Sequence, residues 1–143
     1  MTPKEAKEYL MQYRASVRRA KAAMDHLEEL RTMATRITPI YGGEGGGSHQ
    51  SGDKLGDAVA KIIEAEDRVE AEIELLQATQ REVCSVISKI DDAICRTMLY
   101  ERYISGKTFE QISVDLGYCW RHTLRVHGRA LQLVCDFIEK RCH

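Results

Sequence analysis

The sequence has few residues that interrupt helices and no segment suited to a membrane. Only two prolines occur among 143 residues, Pro3 and Pro39, so long tracts are free to be helical. Charged residues make up 30% of the chain, and no apolar run approaches the roughly 18 residues of a membrane span. The first residues, MTPKEAKEYLMQYR, lack the apolar core of a signal peptide. We therefore expect a helical, cytoplasmic protein.

Patterns typical of metal sites and of catalysis are also missing. The five cysteines form an odd set without a Cys-x-x-Cys pair, and Cys135, Cys142 and His143 lack the usual zinc spacing. His122 and His127 are five residues apart, not the four that place two metal ligands on one helix face. No Ser-His-Asp set, Cys-His set or carboxylate pair stands out. The sequence predicts reduced thiols, no metal, no cofactor and no enzymatic activity.

Charge is unevenly distributed along a nearly neutral chain. Residues 1–36 carry 8 basic and 5 acidic side chains, and residues 93–143 carry the same numbers. Residues 53–92 carry 5 basic and 11 acidic side chains. Because phosphate would repel the acidic middle, we expect any nucleic acid to bind one of the basic ends.

Two long runs have the alternating spacing of three and four residues that is typical of heptad-patterned helices. The first extends from Pro3 to about Arg36 and the second from Leu55 to about Ile90. In the first, the predicted stripe is Ala6, Leu10, Tyr13, Val17, Ala20, Met24, Leu27 and Ala34, interrupted by Arg31. In the second, it is Val59, Ile62, Val69, Ile73, Leu76, Val83, Ile87 and Ile90.

Residues 38–54 separate the two runs and are predicted to be a flexible loop, because they contain Pro39 and a cluster of glycines. Residues 1–90 then form either an antiparallel hairpin within one chain or a coiled coil between chains, and we expect a homodimer. Glu66 and Gln80 fall in the second stripe. They either fix the register of the helix–helix seam or lie where the seam is frayed or open to solvent.

Shorter elements follow in residues 91–143. Asp91 is predicted to cap a helix from Asp92 to Ile104, with Ile94, Met98, Leu99 and Tyr103 on its apolar side. Thr108 and Gln111 have the spacing of a capping box. The helix that they begin ends at Gly117, with Phe109, Ile112, Ser113 and Leu116 inward. The last helix, from about Trp120 to Lys140, has the inward stripe Thr123, Val126, Ala130, Leu131, Val134 and Ile138.

The segment GYCWRHTLRVHGRAL, residues 117–131, contains three arginines and no acidic residue. Two helices joined by a short glycine turn, the second longer and basic, are typical of a helix-turn-helix. The outward side chains Arg121, His122 and Arg125 are predicted to reach bases, and Trp120 is predicted to pack on a sugar or a thymine methyl group. Lys107, Arg129 and the amides after Thr108 are predicted to contact phosphate. His127 and Gly128 are assigned to the flank, where Gly128 would allow another helix or the DNA backbone to approach. The alternative is an ordinary solvated basic face.

The segment RTMLYERYISGKTFEQISVDLGYCWRHTLRVHGRAL resembles region 4 of bacterial sigma factors. The whole chain is similar to sigma-like regulators of phages and prophages of Gram-positive bacteria, of the autolysin-regulator and late-operon activator type, with the junction LRTMATRI as a further likeness. The resemblance implies that Trp120, Arg121, His122 and Arg125 face promoter DNA. It also implies activation of late phage genes, with RNA polymerase as a further partner.

Two features depart from that family. Cys119 stands where such proteins have the serine that caps the recognition helix, and cysteine caps poorly. Nothing in the acidic front half resembles a promoter-melting region, so the chain is not expected to be a stand-alone sigma factor. Two other classes remain open: a DNA-packaging protein like a phage terminase small subunit, and a coiled-coil adaptor that binds RNA polymerase without DNA.

Overall fold

The chain is helical, with two long helices first, short elements next and a long helix last. The computed structural model describes residues 1–41 and 48–142, and side chains for residues 1–36 and 53–142. These ranges contain no strand, and none of their helices has an apolar stretch that could cross a membrane. The predicted all-α class and the N-terminal helix pair are confirmed. The elements are α1 (Pro3–Tyr41), α2 (Ser48–Ser88), α3 (Ala93–Leu99), a π-helical turn (Tyr100–Ile104), α4 (Phe109–Leu116) and α5 (Trp120–Arg141).

The two long helices extend into the segment predicted to be a loop. Of residues 38–54, positions 38–41 belong to α1 and positions 48–54 belong to α2, whereas residues 42–47 lie outside the described residues. The stripe of covered side chains reaches Ala34 on α1 and Leu55 on α2. The prediction that α1 ends before residue 38 is therefore wrong. Both helices have partly buried apolar side chains close to these ends, which the change in composition at residue 38 did not indicate.

The chain divides into two compact units, each built from both long helices. One unit comprises Met1–Ser16 and Leu76–His143, and the other comprises Val17–Leu75. The sequence placed the boundary between residues 90 and 91. The first unit instead includes the start of α1 and the end of α2, because Ala6 and Val83 belong to the same buried cluster as the side chains of α3 and α5.

In the unit Val17–Leu75, α1 and α2 are antiparallel. Arg19 pairs with Glu72 at 3.5 Å, and Arg31 pairs with Glu66 at 3.4 Å. Since the residues in sequence order on α1 meet residues in reverse order on α2, the heptad stripes are paired within one chain. The pattern by itself therefore gives no reason to invoke a second copy.

Small side chains form part of the seam, and the sequence pattern predicted Ala20 but missed Ala23 and Ala65. The buried residues of this unit are Ala20, Ala23, Leu27 and Ala65. Met24, Val59 and Ile73, which were predicted to be inward, are exposed. The reason is that a small residue in the seam allows the helices to come close, whereas apolar pattern matching selects the larger neighbour. Glu66 and Gln80 are exposed too, so neither is buried in the seam.

The core of the other unit surrounds Tyr103, which is completely buried. The Tyr103 hydroxyl lies 2.7 Å from Nε2 of His127, and the Phe109 ring meets the imidazole edge-on at 4.7 Å. Burial lowers the pKa of His127 to about 4 and raises that of Tyr103 to about 12. The assignment of His127 to the exposed flank was wrong, because the buried face of α5 is wide enough to include the residue after Val126.

Helix α3 begins one residue later than predicted. Asp92, not Asp91, is the N-cap of α3, and its Oδ1 accepts a hydrogen bond from the Cys95 amide at 3.0 Å. Cys95 is buried, whereas Ile94, predicted to be inward, is exposed. The π-helical turn then adds a residue to one helical turn, and both Tyr103 and Ile104 are buried.

The buried imidazole should make the free energy of unfolding depend on pH. The pKa of His127 is about 4 in the folded chain and ordinarily about 6.5, so the unfolded chain binds a proton first as the pH falls. The stabilisation is complete above pH 6.5 and is lost between pH 6.5 and pH 4. We expect a loss of about 2 kcal/mol between pH 7 and pH 5, measured by chemical denaturation.

His127→Gln is the matched variant, because it keeps a polar side chain opposite Tyr103 but cannot be protonated. Its loss of stability over the same pH range should be smaller by about 2 kcal/mol. Nuclear magnetic resonance should show the wild-type His127 ring neutral at pH 5. An equal loss in both proteins, or a protonated ring at pH 5, would contradict the assignment.

Candidate nucleic-acid interface

Helix α4 is fixed at both ends by local hydrogen bonds, as the sequence predicted. The Thr108 Oγ1 accepts from the Gln111 amide at 3.2 Å, and the Thr108 amide donates to Gln111 Oε1 at 2.9 Å. At the other end, Gly117 has a φ of 69°, a left-handed conformation that favours glycine. The Tyr118 amide donates back to the Ser113 carbonyl at 3.0 Å. The capping box and the glycine stop are thus confirmed.

A chain of hydrogen bonds joins α4 to the start of α5. The Ser113 hydroxyl donates to Thr123 Oγ1 at 2.7 Å, and the Thr123 hydroxyl donates to the Cys119 carbonyl at 3.0 Å. Thr123 is buried, and so are Ile112, next to Ser113 on α4, and Val126, three residues after Thr123 on α5. Residues 117–119 are therefore a short turn between two helices whose relative position is held by both polar and apolar contacts.

The four side chains of α5 predicted to face DNA, Trp120, Arg121, His122 and Arg125, lie in its first two turns. Arg121 and Arg125 are exposed, and neither has a hydrogen-bond or ion-pair partner in the described part of the chain. Trp120 is half exposed, with its ring edge-on to Phe109. His122 is partly buried against the Tyr118 ring at 4.6 Å. The first two turns of α5 therefore present two unpaired positive charges flanked by an aromatic ring and an imidazole.

The predicted phosphate contacts differ from these four in their charge environment. Lys107 forms ion pairs with Glu101 and, at 2.9 Å, with Asp115, and hydrogen bonds to these carboxylates raise its pKa. Arg129 donates to Cys95 Sγ at 3.5 Å and pairs with Asp92 at 3.2 Å. Each of these cations already has an acidic partner within the protein, so its charge is less available to a ligand.

Two exposed apolar side chains, one on α4 and one on α5, were not singled out from the sequence. Val114 on α4 is 81% exposed and Leu124 on α5 is 41% exposed. The signal was present, because neither residue belongs to the inward stripe of its helix. An apolar residue that the stripe leaves out is expected to be exposed, and Leu124 is the chain neighbour of the unpaired Arg125. We name Val114, Trp120, Arg121, Leu124 and Arg125 the α4–α5 surface.

The chain matches no family model, no curated protein sequence and no solved structure. Its function is therefore inferred from the chemistry of the α4–α5 surface.

The missing side-chain cap at the start of α5 leads to a stability prediction. Cys119 is the N-cap of α5, and its side chain makes no capping hydrogen bond. A serine hydroxyl can accept from the amide two or three residues later, so Cys119→Ser should raise the free energy of unfolding by about 0.5–1 kcal/mol. Thr108→Ala removes the corresponding bond of α4 and should lower it by about 1 kcal/mol.

Both changes are measured by chemical denaturation, with Cys142→Ser as the control. Cys142 is an exposed cysteine at the other end of α5, where no N-cap bond can form, so that variant should have wild-type stability. If Cys119→Ser and Cys142→Ser change the free energy of unfolding equally, capping is not the cause.

Proposed function

We propose that the protein binds double-stranded DNA through a helix-turn-helix made of α4 and α5 and regulates transcription of phage or prophage genes, as an activator of late genes. The observation that supports this most directly is the pair of exposed, unpaired arginines at the start of α5. Phosphate and base edges supply the acceptors that such side chains lack within the protein. The role in phage transcription comes from the resemblance to sigma region 4, and it includes RNA polymerase as a partner.

The spacing of the two arginines suits the major groove. Residues four apart on a helix are separated by about 6 Å along the axis, which is close to two base-pair steps of about 3.4 Å each. An α-helix fits into the major groove, where arginine forms its most frequent specific contact, a bidentate bond to guanine. We therefore assign Arg121 and Arg125 to base edges or to the phosphates that flank them.

The other residues predicted to contact DNA have supporting roles in this proposal. Trp120 and His122 offer ring faces to sugars or to thymine methyl groups. Lys107 and Arg129 would face phosphate, but their ion pairs with Asp115 and Asp92 must be weakened before they gain from a new contact. We expect each of them to contribute less to affinity than Arg121 or Arg125. Thr108 would act through the capped start of α4, whose amides suit phosphate.

The test is a titration of the purified protein with DNA fragments from its own genomic neighbourhood at two salt concentrations. We expect site-selective binding that weakens steeply as salt is raised, because phosphate contacts release counterions. Arg121→Ala combined with Arg125→Ala should weaken binding at least about thirtyfold, since each lost base contact costs roughly 1–3 kcal/mol.

Arg18→Ala combined with Arg68→Ala is the matched control. It removes the same charge from exposed positions in the unit Val17–Leu75, so affinity should stay close to that of the wild type. Wild-type affinity in the Arg121 and Arg125 double variant would contradict the assignment to α5. A wild-type protein that binds no fragment would favour the adaptor class, and ring-shaped assemblies on packaging sites would favour the terminase class.

A further inference from the structure

Gly128 occupies an unfavourable position that the folded chain does not explain. It lies inside α5, where glycine costs about 1 kcal/mol relative to alanine. Its φ is not positive, so the backbone does not require glycine there. A Cβ atom at this position would meet nothing within 4 Å beyond its own helix in the described part of the chain. Neither backbone conformation nor internal packing therefore accounts for the missing side chain.

Gly128 lies on the same face of α5 as the two unpaired arginines. At 3.6 residues per turn, Arg121, Arg125 and Gly128 fall within an arc of about 60°. All three are exposed. A ligand that contacts Arg121 and Arg125 therefore also lies over Gly128. There it can come closer to the helix backbone than it could if the residue had a side chain.

The charge along this side of α5 changes sign beyond Gly128, between Arg129 and Asp136. Arg121 and Arg125 precede Gly128, whereas Asp136 follows it two turns later and accepts a hydrogen bond from Gln132 at 3.1 Å. An anionic ligand is attracted by the first part of the face and repelled by the last part. Gly128 thus lies between the unpaired arginines and the acidic residue that ends the cationic part of this face.

The distances fit the backbone of double-stranded DNA. Seven residues separate Arg121 from Gly128, which is about 10 Å along the helix axis, and the major groove is about 12 Å wide. When Arg121 reaches into the groove, Gly128 lies near one of its walls. The walls are the sugar–phosphate strands.

We propose that Gly128 is the point at which one DNA strand passes against α5, with its sugar–phosphate backbone touching the bare helix. This inference rests on the proposed function and adds to it a contact that no basic residue provides. The stability that glycine forfeits in the free protein is offset by a closer fit in the complex.

The experiment compares Gly128→Ala and Gly128→Gln with the wild type in two measurements. Both replacements are better helix formers than glycine, so the thermal midpoint should rise in each. Affinity for the bound genomic fragment should fall with the size of the new side chain. For Gly128→Gln we expect binding at least about tenfold weaker, equivalent to about 1.4 kcal/mol. Stability and binding therefore change in opposite directions.

Gly56→Ala and Gly56→Gln are the matched controls. Gly56 is also an exposed glycine inside a helix, α2, and a Cβ atom there likewise meets nothing within 4 Å. These variants should gain stability and keep wild-type affinity. Wild-type affinity in Gly128→Gln would overturn the inference while leaving the proposed function intact, and a lower thermal midpoint in that variant would overturn the premise that the position is open. If the wild type binds no DNA, the proposed function and this inference both fail.

Discussion

The hydrogen bond between Tyr103 and His127 is the interaction on which the arrangement around α4 and α5 depends. At 2.7 Å and fully enclosed, it joins the π-helical turn to the middle of α5. The Phe109 ring packs against the same imidazole. The Arg102 guanidinium carbon lies over the Phe109 ring, 4.4 Å from its centroid. Buried polar groups must be paired to be tolerated. The pairing therefore restricts how these three elements can be placed relative to one another.

Rigid support has a direct bearing on the exposed arginines. A long cationic side chain loses conformational freedom when it binds, so affinity depends on how little else must be ordered at the same time. Helix α4 is held at both ends by its caps, and Ser113 and Thr123 hold the start of α5 against it. The helices are thus positioned before any ligand arrives, and only the outermost atoms of Arg121 and Arg125 have to be ordered.

The sequence was most reliable where structure is determined by neighbours along the chain. The capping box of Thr108, the stop at Gly117 and the unsupported cap at Cys119 each depend on a few consecutive residues. It failed where distant segments decide. Ala65 is buried instead of a larger neighbour because α1 approaches closely, and His127 is buried because Tyr103 lies opposite it. Within the site, the exposed arginines were predicted from the sequence, but the ion pairs of Lys107 and Arg129 involve residues that no local pattern links to them.

The unit that contains α4 and α5 is discontinuous in sequence, since it needs Met1–Ser16 as well as Leu76 onward. During synthesis, Met1–Ser16 cannot complete its contacts with the core until α5 has left the ribosome. The intervening Val17–Leu75 can pair with itself in the meantime, because its helices are adjacent in the chain and antiparallel. When the two helices of Val17–Leu75 pair, the chain between the two segments of the other unit behaves as a shorter loop. The entropy cost of bringing Ala6 and Leu10 into the core is then smaller. Pairing of the two helices within Val17–Leu75 therefore favours folding of the unit whose two chain segments it connects.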